Sequence, residues 1–246
     1  MITPAQLLRR LVVAQAGDEA AWVAEQLDAL AAGATERVLH IFLGLAPRRL
    51  GKADLALTPA DRAEADAAVP GWRLDGWSLD GAARVLGLMV HVGQRPFAER
   101  FKDLRRTADV AEMVALYRGL PLYPDPASLH FEVGEGLRST IRPVFEAIAH
   151  HNPYPRDHFD EHRWNHMILK ALFIGAPLAP VVGLEARANP ELARILLDYA
   201  EERWAAGRPV AQDLWLPVRP FAADPAIRAR LDAACAAGRL HEEALS

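Results

Sequence analysis

Apolar and polar positions along this chain follow the three-to-four-residue period of helices that bury one face, and β-branched residues seldom cluster. The opening segment, MITPAQLLRRLVVAQAGDE, already reads as an amphipathic helix. Its punctuation recurs. Thr3-Pro4, Thr58-Pro59, Asn189-Pro190 and Asp224-Pro225 each place a capping side chain before a proline at the first helical position. Gly33, Gly207 and Gly238 follow alanine-rich turns, where a left-handed C-terminal cap is wanted. Caps and periodicity together predict helices near 4–16, 18–32, 35–45, 59–68, 79–93, 96–107, 109–119, 139–151, 158–174, 190–206, 210–219 and 225–237. Longer connections are expected at 46–57, 69–77, 120–135 and 175–188. His40-Ile41-Phe42 and Leu129-His130-Phe131 could pass for strands, but neither has a partner of matching alternation. The predicted fold class is all-α, about a dozen helices in antiparallel hairpins. They would form either a TPR- or HEAT-like stack, suggested by the AAG terminators at 205–207 and 236–238, or a compact orthogonal bundle. No linker is long or polar enough to divide the chain, so residues 1–246 are expected to form a single domain.

Composition narrows the possibilities. A chain of 246 residues, 51% hydrophobic and 24% charged, can bury a sizeable core and is not disordered. It has no apolar run of transmembrane length. Twenty-eight basic and thirty-two acidic residues leave a net charge of −4, so no basic field points to nucleic acid. The single cysteine, Cys235, can form no internal disulfide. The N-terminus has no signal-peptide block, and a cytoplasmic location is expected. No Walker loop, dinucleotide fingerprint, nucleophile elbow or HExxH motif is present, and no cofactor is assigned.

Candidate chemistry concentrates in residues 150–178, HHNPYPRDHFDEHRWNHMILKALFIGAPL. His158, His162 and His166 are four residues apart and would share one helix face if the helix began early enough, with Asp160 and Glu161 nearby. No metal is assigned, because solvated histidines at a helix start explain the row and no third element supplies a ligand. On a helical wheel through 162–175 only a narrow stripe of His162, Arg163, His166 and Lys170 stays polar, so the helix is expected to be enclosed and Lys170 to lie at the floor of a cavity. There it would hold an anion, act as a nucleophile or base, or pair with a carboxylate. Trp164, Asn165 and His166 adjoin it.

The preceding helix carries Arg138, Arg142, Glu146 and His150 at four-residue intervals. The rigid corner that follows presents His151, Asn152 and Tyr154. Arg187 and Asn189 flank a helix N-terminus, where Asn189 is expected to cap and Arg187 is available to an anion. Arg95, Arg100, Lys102, Arg105 and Arg106 read as a solvated helical face, and the six tryptophans as core anchors.

This segment resembles the EboA family. The likeness is carried by His151-Asn152-Pro153-Tyr154-Pro155, Phe159-Asp160 and Trp164-Asn165-x-Met167-x-Leu169-Lys170-Ala171-Leu172-Phe173. It continues through Gly183-Leu184, Arg187-Ala188-Asn189 and Leu197-Asp198-Tyr199-Ala200-x-Glu202-Arg203-Trp204-Ala205-Ala206-Gly207. It covers the C-terminal two-fifths; the N-terminal half matches only in being helical. His166 stands where the family would carry glutamine. The resemblance implies a bacterial cytosolic protein encoded beside other ebo products. It would assist traffic or export of a small, prenylated or aromatic metabolite precursor by binding the metabolite or a partner ebo protein. With no complete catalytic set, the enzyme alternative rests on Lys170 with His150, His151 or His166 as acid–base groups, and ligand contacts are expected from Lys170, Asn165, His166, His150, His151, Asn152, Tyr154, Trp164 and Arg187.

Overall fold

A computed structural model describes residues 2–240. The described residues form thirteen α-helices and no β-strand, apart from one isolated bridge between Asp54 and Ser78. The helices are α1 (Pro4–Gln15), α2 (Ala20–Ala31), α3 (Glu36–Leu50), α4 (Pro59–Ala68), α5 (Leu79–Val90), α6 (Phe97–Thr107), α7 (Val110–Arg118), α8 (His130–Arg138), α9 (Arg142–Ala149), α10 (Tyr154–His158), α11 (Glu161–Ile174), α12 (Pro190–Ala205) and α13 (Pro225–Ala236). The all-α expectation holds. The caps are those the sequence announces: Thr3, Thr58, Asn189 and Asp224 each accept a backbone N–H of the first turn that follows them.

By contact the chain sorts into two compact units, Met1–Tyr154 and Pro155–Ser246. In the first, α5 is the hub: α1, α2, α3 and α7 all pack on it, while α7 also packs on α9, and α9 on α8. A helix surrounded by four others is the centre of a bundle, unlike a stacked repeat in which each pair meets only its neighbours. The sequence of α5, LDGAARVLGLMV, suits that place. Its small residues admit close neighbours, and the whole run from Ala82 to Leu88 is buried. In the second unit α12 packs against both α11 and α13.

Several boundaries differ from the sequence reading. Helix α3 runs to Leu50 through Pro47 instead of ending before it. Proline leaves the carbonyl four residues earlier without its donor, and Arg84 Nε supplies one, 3.0 Å from the Leu43 oxygen. Helix α8 occupies part of the expected 120–135 connection, beginning at one of the two strand-like triplets. Gly136 there serves packing instead of turning: a Cβ on it would lie 2.4 Å from the Tyr117 ring. The helix expected at 210–219 is two short 3-10 turns, Gln212–Trp215 and Arg219–Phe221, because Pro217 and Pro220 interrupt it. The helix expected at 139–151 starts only at Arg142, so Arg138 belongs to α8 and the four-residue row is split.

The basic face of α6 also needs correction. Arg100 is buried and donates to His91 Nδ1 at 2.7 Å, and Arg105 reaches the buried Glu132 at 2.5 Å. Because arginine only donates, His91 must accept at Nδ1 and carry its proton on Nε2, which donates to the Ala34 carbonyl at 2.8 Å.

Gly87 of α5 faces the buried Phe42 ring, 2.5 Å from where a Cβ would stand. Gly87→Ala therefore gains about 1 kcal/mol of helix propensity and loses more to the clash. Urea unfolding should show a net destabilisation of about 1–3 kcal/mol.

Candidate functional site

The first unit holds a cleft of about 170 Å³. Trp77 and Arg118 line it, together with three residues singled out from the sequence: His150, His151 and Asn152. Trp77 is fixed by its backbone. Its carbonyl accepts from Leu55 N at 2.8 Å beside the Asp54–Ser78 bridge, and its ring meets Trp72 edge-on at 6.0 Å. The last residue of α7, Arg118, donates to the Gly76 carbonyl.

The Arg118 guanidinium is the cleft's distinctive charge. Burial lowers its pKa, with Asp54 pulling the other way, yet an arginine stays protonated. No ion pair of Arg118 forms among the described residues. The carboxylates of the cleft have cations of their own, Asp75 with Arg62 at 2.8 Å and Glu146 with Arg142 at 2.6 Å. A partly desolvated cation beside an aromatic wall suits an anionic group carried on an apolar body.

Two residues of the His-Asn-Pro-Tyr-Pro corner do different work. Asn152 is buried and fully engaged: its Nδ2 donates to the Tyr117 and Ala147 carbonyls at 3.0 and 2.9 Å, and its Oδ1 accepts from Tyr154 N at 3.0 Å. It pins the corner to α7 and α9 and so acts as a positioning residue. His151 is held in the left-handed region, at φ 52°, a conformation that costs a non-glycine residue about 1–3 kcal/mol. Although exposed overall, its ring loses part of its hydration, which lowers its pKa; the Arg73 and Arg118 charges lower it further, against Asp75. Tyr154 is buried, its hydroxyl donating to the Pro126 carbonyl at 2.7 Å.

The remaining candidates lie in the second unit. Trp164 is buried with the Arg187 guanidinium 4.8 Å above its ring, and Arg187 Nη1 donates to the carbonyls of Pro155, Arg156 and Phe159. Asn165 and Asn189 exchange amide hydrogen bonds of 3.2 and 2.9 Å while Asn189 caps α12 through Leu192 N at 2.8 Å. Lys170 departs from expectation: it is half-buried, not enclosed, and burial lowers its pKa. Helix α11 buries Asn165 and the apolar stripe of Trp164, Met167, Ile168, Ala171 and Leu172, while Phe173 is 65% exposed and lies edge-on to Tyr199. The histidine row is also broken. His158 ends α10, Asp160 caps α11 through Arg163 N at 2.7 Å, and only His162 and His166 pair, with ring centroids 4.1 Å apart. Among the described residues no group of three or more His, Cys, Asp or Glu is placed to hold a metal ion.

Sequence reasoning missed Trp77 and Arg118 as residues lining the cleft. The nearest signal was an arginine at the end of an apolar helix, just before a glycine, which is also where an ordinary C-terminal cation sits.

Fold and cleft together define an all-helical protein with a half-buried, aromatic-walled cation in its N-terminal unit. The chain belongs to the EboA family: the family model described as metabolite traffic protein EboA matches residues 4–219, so the likeness extends through the N-terminal half as well. No curated protein and no solved structure matches the chain. No helix of the described residues is long and apolar enough to cross a membrane.

Asn152→Ala would orphan two carbonyls and one N–H in the interior, and a loss of about 2–4 kcal/mol in denaturant unfolding is expected. Arg118→Gln removes one of the charges that lower the His151 pKa, so an NMR titration should show that pKa rise, whereas Asp75→Asn should lower it further. Since the folded state disfavours protonated His151, this residue's contribution to stability falls as pH drops through the ordinary histidine range.

Proposed function

We propose that the protein binds a small metabolite with an anionic group and an aromatic or prenyl body, in the cleft between α7, α9 and Trp77, and hands it on in the traffic its family is named for. The observation that carries this reading is the Arg118 guanidinium: half-buried, without a carboxylate partner, and set beside an aromatic wall. Family membership supplies the biological setting. The strained His151 supports the same place, because a non-glycine residue kept in the left-handed region is a cost that surrounding structure maintains at sites of use. Arg118 would take the anion, Trp77 and Val114 the apolar body, and His150 and His151 the polar rim, with Asn152 holding the corner in register.

A catalytic reading would take His151, which lines the cleft, as the base. Product formation in the binding incubations distinguishes the two readings.

The test is calorimetric titration of the purified chain with 3-phenylpropanoate and with geranyl phosphate, in wild type and Arg118→Gln. At least one probe should bind the wild type, and Arg118→Gln should weaken it about tenfold or more, a loss of about 1.4 kcal/mol. Arg118→Lys should fall between. Equal affinity in wild type and Arg118→Gln would overturn the assignment.

A further inference from the structure

A second cleft of the N-terminal unit, about 150 Å³, shares Trp77, Val114 and Arg118 with the first and adds Asp80 of α5. We infer that this cleft recognises a hydrogen-bond donor, an ammonium or a hydroxyl, on the same ligand whose anionic group Arg118 holds, with Asp80 as the acceptor. The inference rests on the reading of Arg118 just given and adds a second functional group to the ligand.

Asp80 is 2% exposed. One carboxylate oxygen, Oδ2, lies 3.4 Å from Arg84 Nη1. The other, Oδ1, is buried and accepts no hydrogen bond from the described residues. Buried polar atoms in folded proteins nearly always find a partner, and an orphaned acceptor is costly, more so when charged. The described residues do not provide this partner, although donors stand close by: Arg84 divides its guanidinium between Asp80, the Leu43 carbonyl and Glu112. Asp80 lines the cleft, so the missing donor can arrive there from outside the chain.

Arg118 and Asp80 on the walls of one small cleft place an anion acceptor and a donor acceptor within reach of a single compact molecule. Trp77 and Val114 provide the apolar surface between. The chemistry that satisfies all three is an α-amino or α-hydroxy acid bearing an aromatic or other apolar side chain.

Three probes of one skeleton separate the possibilities: 3-phenylpropanoate with no donor, 3-phenyllactate with a hydroxyl and phenylalanine with an ammonium. In the wild-type chain one of the two donor-bearing acids should bind about tenfold tighter than 3-phenylpropanoate. The tighter of them identifies the donor. In Asp80→Asn the preference for phenylalanine over 3-phenylpropanoate should disappear, because the carboxamide carries no charge. Ala111→Phe, at an exposed position lining the same cleft, should weaken the donor-bearing acids without touching the Asp80–Arg84 pair. Arg118-dependent binding of all three probes with equal affinity would overturn the Asp80 assignment and leave the Arg118 reading standing. Absence of any Arg118-dependent binding would overturn both.

Discussion

The buried guanidinium of Arg84 holds three parts of the N-terminal bundle in one arrangement. From the hub helix it donates to the Leu43 carbonyl that Pro47 leaves without a partner, approaches Asp80 one turn earlier, and pairs with Glu112 of α7 at 3.2 Å. Glu112 also closes the first turn of α7, accepting from Asp109 N at 3.0 Å. A charge this deeply enclosed is stable only with its partners in place, and removal of one strands the others at a cost of several kcal/mol. Hence α3, α5 and α7 are fixed relative to one another by more than apolar contact.

That constraint reaches the cleft. Helix α7 carries Val114 on its flank and Arg118 at its end, while α5 begins at the Ser78 cap beside Trp77 and carries Asp80 in its first turn. Fixing α7 against α5 therefore fixes the spacing of cation, aromatic wall and carboxylate. Asn152 performs the same service from the other side, tying the corner after α9 back to α7. The groups that line the cleft are thus few and the groups holding them many, the arrangement a preorganised site requires.

Fold class, most helices and their caps were legible in the sequence because capping chemistry is local: a serine, threonine, aspartate or asparagine before a first turn acts through the next three residues. The enclosed helix was misplaced for a physical reason. The wheel through α11 counted apolar residues all round and took them as buried, yet Phe173 faces outward and Lys170 sits at the flank. The helix that is enclosed, α5, carries Asp80 and Arg84 inside it, so its composition looks more polar than its surroundings are. Of the expected site, His150, His151 and Asn152 do share a cleft, because one rigid corner carries them. Arg118 and Trp77 come from elements distant in sequence, and no local period connects them to that corner. The three histidines do not share one helix face because of a single boundary, since the cap at Asp160 restarts the helix after His158.

The proline inside α3 carries a historical implication. Its ring tolerates a helical position only while another side chain serves the abandoned carbonyl, and here the donor is Arg84. A lineage that gained Pro47 with that arginine already present cannot later discard the arginine without exposing the defect. The two positions are therefore joined in evolutionary order as well as in space: with an ordinary N–H at position 47, the arginine at 84 would answer only to Asp80 and Glu112.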